Sequence, residues 1–163
     1  MYVLEGIDIV KKILLSGIKE KQINPVSVEL HVERIEVIKE TLPLIEFEKT
    51  FTPKYEELIT YKKDGKEYYY LSPYRSYLVT LAPRVKMLSN CFGILLPRSS
   101  LQRCGIIAQG TLVDPNYEGN LKVLLYPVIQ VEIEKNARLF HLIVLCKENN
   151  FSKLYEGQWN RET

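Results

Sequence analysis

Short apolar runs, broken at close intervals by turn chemistry, constrain this chain more than any other feature. Ser72-Pro73, Ala82-Pro83, Asp114-Pro115-Asn116 and Lys135-Asn136 each follow or precede a segment rich in Val, Ile, Leu or Tyr. Proline fixes φ and removes an amide donor, and Asn and Asp accept turn conformations, so each pair ends the segment beside it. "SYLVTL" alternates Tyr77, Val79 and Leu81, and "FGILLP" is a short apolar run. "LKVLLYPVIQVEIE" divides into two strands at Pro127, and "RLFHLIVLCK" is one long strand. "YKKDGKEYYYL" reads as two short strands around an Asp64-Gly65 turn. Many short strands so punctuated predict a mainly β barrel, sandwich or jelly roll.

One helix precedes the strands. "GIDIVKKILLSG" puts Ile9, Val10, Ile13 and Leu14 on one helical face, with Gly17 as its stop. "VSVELHVE" then alternates strictly, with Val28, Leu30 and Val32 on one side and Glu29, His31 and Glu33 on the other. The apolar phase slips at Arg34-Ile35, as a β-bulge would make it do. For Glu29 and His31 a solvated face is the plainer reading. The last stretch, "ENNFSKLYEGQWNRET", is polar and without periodicity. The expected organisation is one β-rich domain over 1–147 and a mobile tail over 148–163.

The 163 residues suit a single domain, and 46% hydrophobic with 26% charged residues is globular composition. A net charge of +2 is too mild for a nucleic-acid footprint. Cys91, Cys104 and Cys146 form no C-x-x-C pair, and His31 and His141 lie far apart, so no structural zinc site is expected. Free thiols in a reducing compartment are the expectation. "ILLSGI" is too short to cross a bilayer and no signal pattern opens the chain. The location expected is cytoplasmic, or the host cytoplasm for a viral chain, with no membrane partner.

Arg98-Ser99-Ser100-Leu101-Gln102-Arg103 places two hydroxyls and two guanidiniums in one short segment. Forked cationic donors with hydroxyls and amides suit a polyphosphate, and a solvated turn with an N-cap serine has the same pattern. Asp114 follows the apolar-leaning "IIAQGTLV" and precedes a turn. A carboxylate there can deprotonate a water, and an Asp before Pro also simply begins turns. Tyr117 offers a flat face to a sugar or base.

In order along the chain, these segments resemble the dUTPase and dCTP deaminase superfamily. "GIDIVKKILLSGIKEKQINPVSVELHV" is similar to the deaminase-type start, and "YLVTLAPRVKMLSNCFGILLPRSSLQRCGI" to the central block that leads into Arg-Ser-Ser-Leu. "LVDPNYEGNLKVLLY" matches the family's Asp, aromatic and Gly; "NARLFHLIVL" resembles its Arg-Ile-Ala-Gln-Leu motif; "YEGQ" resembles the deaminase-type tail. The resemblance implies a distorted jelly-roll, or β-clip, barrel with a short N-terminal helix.

The branch turns on one position. Deaminases of the family carry a catalytic glutamate ten residues after the motif Asp, and that position here is Leu124. Leucine cannot shuttle protons, so the resemblance points to a dUTPase, dUTP diphosphatase, releasing dUMP and pyrophosphate. It implies Asp114 as the base for water and Arg98, Ser99, Ser100 and Arg103 as phosphate or substrate contacts. The backbone of Gln109, Gly110, Thr111 and Leu112 would read uracil, and Tyr117 would pack on deoxyribose. Arg138, and Tyr155 and Gln158 of the tail, are carried over as substrate-binding positions. Trp159 would stack on the base and Arg161 would reach the γ-phosphate, in place of a glycine-rich tail. Mg²⁺ would be held mainly through the triphosphate, with no protein metal ligand, in a homotrimer with shared sites. The family's Asp and Gln are Glu29 and His141 here. These departures keep open a catalytically silent nucleotide-binding protein on the same scaffold, and beyond it a dCTP deaminase with another acid.

Overall fold

The alternation read from residue 28 becomes the spine of the fold. In the computed structural model, which describes residues 1–163, a nine-stranded sheet is built on seven principal strands. They are β1 (Val28–Ile38), β2 (Tyr77–Ala82), β3 (Cys91–Pro97), β4 (Ile106–Gln109), β5 (Leu112–Val113), β6 (Lys122–Pro127) and β7 (Arg138–Cys146). Their spatial order is β4-β6-β2-β1-β7-β3-β5, antiparallel throughout. Tyr2–Val3 and Tyr55–Glu57 add short strands beside β7 and β1. Val28, Leu30, Ile35, Val79, Leu125, Phe140 and Leu142 are fully buried at its centre. The mainly β, jelly-roll-type expectation with a short N-terminal helix holds.

Local chemistry explains the details. Asp64 and Gly65 both take positive φ (52° and 77°) between Tyr61–Lys63 and Lys66–Leu71, as a two-residue hairpin turn requires. The phase slip in β1 is a register shift between Val32 and Arg34 against β2. It hands the buried side of the strand from Val28, Leu30 and Val32 to Ile35 and Val37.

Three expectations need correction. The helix α1 (Gly6–Lys12) stops well before Gly17. Ile13 and Leu15 leave it to exchange backbone hydrogen bonds with Lys86 and Arg84, so sheet pairing wins over continued helix. Glu29 is buried, not solvated. Cys91 and Cys146 are not free thiols: they stand opposite in register on β3 and β7 and form a disulfide, leaving only exposed Cys104. Local spacing carries no trace of such a cross-strand pair.

Residues 148–163 form neither helix nor strand and lie back along the domain. No helix is long and apolar enough to cross a membrane.

Candidate functional site

A cleft of about 560 Å³ opens beside the turn that follows β5. The turn is Asp114-Pro115-Asn116-Tyr117, with Pro second, Asn116 at φ 72° and the Tyr117 amide donating to the Asp114 carbonyl at 3.2 Å. Proline pre-sets the second position and Asn tolerates the left-handed third, which is type II chemistry. It leaves the Asp114 side chain half-buried on the cleft wall, in no ion pair of the chain. Thr111, Leu112 and Tyr117 line the same cleft. Gly110 lets this segment cross β3 closely, since a Cβ there would meet the Leu95 carbonyl oxygen at 2.3 Å.

The tail also lines the cleft. Tyr155 and Trp159 face the cleft, and the Tyr155 ring meets Tyr117 edge-on at 5.6 Å. The Tyr155 amide donates to the Pro115 carbonyl, and the Glu118 amide to Asn160 Oδ1. The Gln158 side-chain amide clasps the Thr50 backbone, accepting from its N–H and donating to its carbonyl. The Tyr117 hydroxyl donates to Glu162 Oε1 at 3.1 Å. Burial, then the Glu162 charge, pushes the Tyr117 phenol far up, so it stays a donor. Burial also raises the Glu162 carboxyl, against the Tyr117 hydrogen bond, Lys122 and Arg34.

The other expected site residues lie elsewhere on the chain. Ser99, Ser100 and Arg103 belong to the five-residue helix α2 (Ser99–Arg103) and are exposed, as are Gln109 at the end of β4 and Arg161 in the tail. None of them lines the Asp114 cleft, and neither do Arg98 and Arg138. Those two arginines converge on Glu29: Arg98 Nε lies 3.3 Å from Oε1, and Arg138 Nη1 donates to Oε2 at 2.7 Å. Arg98 also donates to the Arg138 carbonyl. Next to this triad Gln22 contacts the Glu29 carbonyl and His31 Nδ1, and Ser27 contacts His141 Nδ1. Burial lowers the His31 imidazole, against the charge of Glu33 and with a smaller push from Lys19.

No group of three or more His, Cys, Asp or Glu side chains forms a cage for a metal ion, and Glu29 is committed to two arginines.

Four charged cleft residues were missed in the sequence: Arg34, Glu36, Lys122 and Glu162. For Lys122 a signal existed. It opens an otherwise apolar strand, two positions before Leu124 and on the same side of β6.

A dCTP deaminase-like family pattern matches residues 5–145. The chain is 32% identical over 149 residues to a deoxyuridine 5'-triphosphate nucleotidohydrolase of Methanocaldococcus jannaschii, covering 90% of this chain and 92% of that one. It is 28% identical over 156 residues to a dCTP deaminase of Pyrococcus furiosus, covering 94% and 88%. Among solved structures it is similar in fold to a dCTP deaminase from Agrobacterium tumefaciens, with TM-score 0.68 and 15% identity. That match covers 87% of this chain, which spans 46% of the length of that structure.

Proposed function

The chain belongs to the dCTP deaminase-like family, within the dUTPase and dCTP deaminase superfamily, and from that premise we propose that it hydrolyses dUTP to dUMP and pyrophosphate. Leu124 carries this reading. It occupies β6 opposite Leu78 and Gln109, two residues beyond Lys122, where a deaminase of the family has its proton-shuttling glutamate. An alkyl group there cannot exchange protons with a leaving amine, whereas hydrolysis at phosphorus needs none at the base.

In the proposed reaction Asp114 takes a proton from a water in the cleft. The water oxygen bonds to the α-phosphorus, the bond from that phosphorus to the α,β-bridging oxygen breaks, and pyrophosphate leaves. Arg98, Ser99, Ser100 and Arg103 hold phosphate oxygens and offset the developing charge. The backbone of residues 109–112 reads the base, and Tyr117 packs on the sugar. Arg138, Tyr155, Gln158, Trp159 and Arg161 complete the substrate contacts. Mg²⁺ enters as a companion of the triphosphate and is part of the substrate.

Two observations support a homotrimer with shared sites. The phosphate-type donors lie outside the Asp114 cleft of their own chain, so a neighbour's segment 98–103 would complete it. The excursion after β1 also leaves Leu42, Ile45 and Phe47 almost wholly exposed, an apolar surface that a second copy would cover. Sedimentation at several concentrations measures the assembly. A cytoplasmic location, with no nucleic-acid or membrane partner, belongs to this reading.

Glu162 favours a second reading, dCTP deamination, because it is a carboxyl in the cleft whose protonated form burial promotes. Parallel assays separate the two. Pyrophosphate from dUTP is expected; ammonia from dCTP at a comparable rate would select the deaminase, and neither product would select a silent binding protein.

A further inference from the structure

Two cations in the cleft have no part in the hydrolysis described. β6 alternates, with Val123 and Leu125 buried in the core and Lys122 and Leu124 on the other side. Lys122 Nζ donates to Thr80 Oγ1 at 3.1 Å and to the Thr163 backbone oxygen at 3.1 Å. Arg34 Nη2 donates to that same Thr163 oxygen at 2.8 Å. The Thr163 main-chain oxygen thus already sits between the two cations.

Around this seat the cleft is lined by Leu78, Leu112, Val113 and Leu121, an apolar setting for the faces of a flat ring. The two carboxylates near the seat are engaged, Glu36 with Arg34 and Glu162 with the Tyr117 hydroxyl.

We propose that Lys122, braced by Arg34, is a specificity-determining residue that donates to the 4-carbonyl oxygen of uracil and excludes the 4-amino group of cytosine. The proposal rests on the nucleotide-hydrolase reading of the same cleft. An ammonium has three donors and no acceptor. Uracil presents an oxygen at position 4 and fills the place the Thr163 oxygen holds. Cytosine presents two N–H bonds there, so donor faces donor and both lose their partners on leaving water. Burial, and after it Arg34, lowers the Lys122 ammonium from the ordinary lysine value, with Glu162 and Glu36 acting the other way. Leu124 adds no acceptor that could take the amine instead.

The test is equilibrium calorimetry of dUMP and dCMP with the full chain, which needs no turnover. The wild-type protein is expected to prefer dUMP by at least ~10²-fold, as sites built to hydrogen-bond one substrate group do. Lys122→Met should shrink that preference at least ~10-fold through weaker dUMP binding. Lys122→Gln, whose amide offers a donor and an acceptor, should recover dCMP binding, and it serves as well if the Met variant folds poorly. Inorganic triphosphate is the control. A wild-type protein without preference, or a preference untouched by both substitutions, would overturn the proposal. So would equal weakening of both nucleotides and of triphosphate, which would make Lys122 a phosphate contact. Failure of the hydrolase reading is separate: no pyrophosphate from dUTP, with the dUMP preference and its loss in Lys122→Met intact.

Discussion

Replacing Glu29 by Ala should unfold the protein at markedly lower temperature. Glu29 has a side chain 7% exposed and is the only anion paired with Arg98 and Arg138, whose side chains are 23% and 27% exposed. Removing one partner of a buried pair costs about 3–5 kcal/mol, because the partner is left charged and unpaired. Here two guanidiniums would be left facing each other, yet each keeps some water and a backbone carbonyl acceptor, Arg138 for Arg98 and Lys21 for Arg138. The net loss expected is about 2–4 kcal/mol, near the lower end of that range. For a chain of this size that corresponds to roughly 5–15 °C in Tm. Urea denaturation followed by circular dichroism measures it, with the m-value checking that unfolding stays two-state. A triple Met variant at 29, 98 and 138 should be much closer to wild type, since a whole ion triad replaced by apolar groups is often neutral. A Glu29→Ala protein within ~0.5 kcal/mol of wild type, the scatter of ordinary surface changes, would refute the argument. A triple variant as weak as the single one would show that shape, not charge, is at stake.

Asp114→Asn should keep the fold, because Asn begins a turn as well as Asp, and lower pyrophosphate release from dUTP at least ~10²-fold; near-normal turnover would remove Asp114 from the reaction. Leu124→Glu should destabilise the chain by about 1–3 kcal/mol, by placing a carboxylate between Leu78 and Gln109, and should release no ammonia from dCTP; brisk deamination by this variant would show that one residue separates the branches. The docked tail raises the Glu162 carboxyl through burial, so the docked form holds its proton more readily than the free one. Docking is therefore strongest below the ordinary glutamate range and weakens as pH rises through the raised value. Hydrogen exchange at the Asn120 amide, which donates to the Glu162 carbonyl, should speed up over that window beyond its intrinsic pH dependence. Glu162→Gln should abolish the excess, and identical profiles for the two proteins would refute the coupling.

What the sequence disclosed was local. The hairpin at Asp64-Gly65, the break at Pro127 and the phase slip in β1 are each written within a few residues, and each is in the structure. Alternation identified the outward side of Glu29 correctly and misjudged its surroundings. Arg98 and Arg138, which cover it, arrive from segments distant in sequence. The same limit hid the Cys91–Cys146 bond. Asp114 and Tyr117 were legible because turn chemistry surrounds them. Arg34 and Glu162 were not, since a cleft wall assembled from separate segments has no signature in those two. The tail showed its lack of periodicity but not the groove it follows.

The irregularity between Val32 and Arg34 gives β1 two reading frames. Ahead of it odd-numbered residues face outward, and Glu29 meets the arginines; behind it even-numbered ones do, and Arg34 and Glu36 reach the cleft. Spacing, and not only residue identity, is thus part of what this strand encodes. Loss of Glu33 would remove the extra residue and leave Val32, Ile35 and Val37 in strict alternation on the inner side, with Arg34 and Glu36 still outward. An alignment that lets a gap drift across these positions would compare core residues of one protein with cleft residues of another.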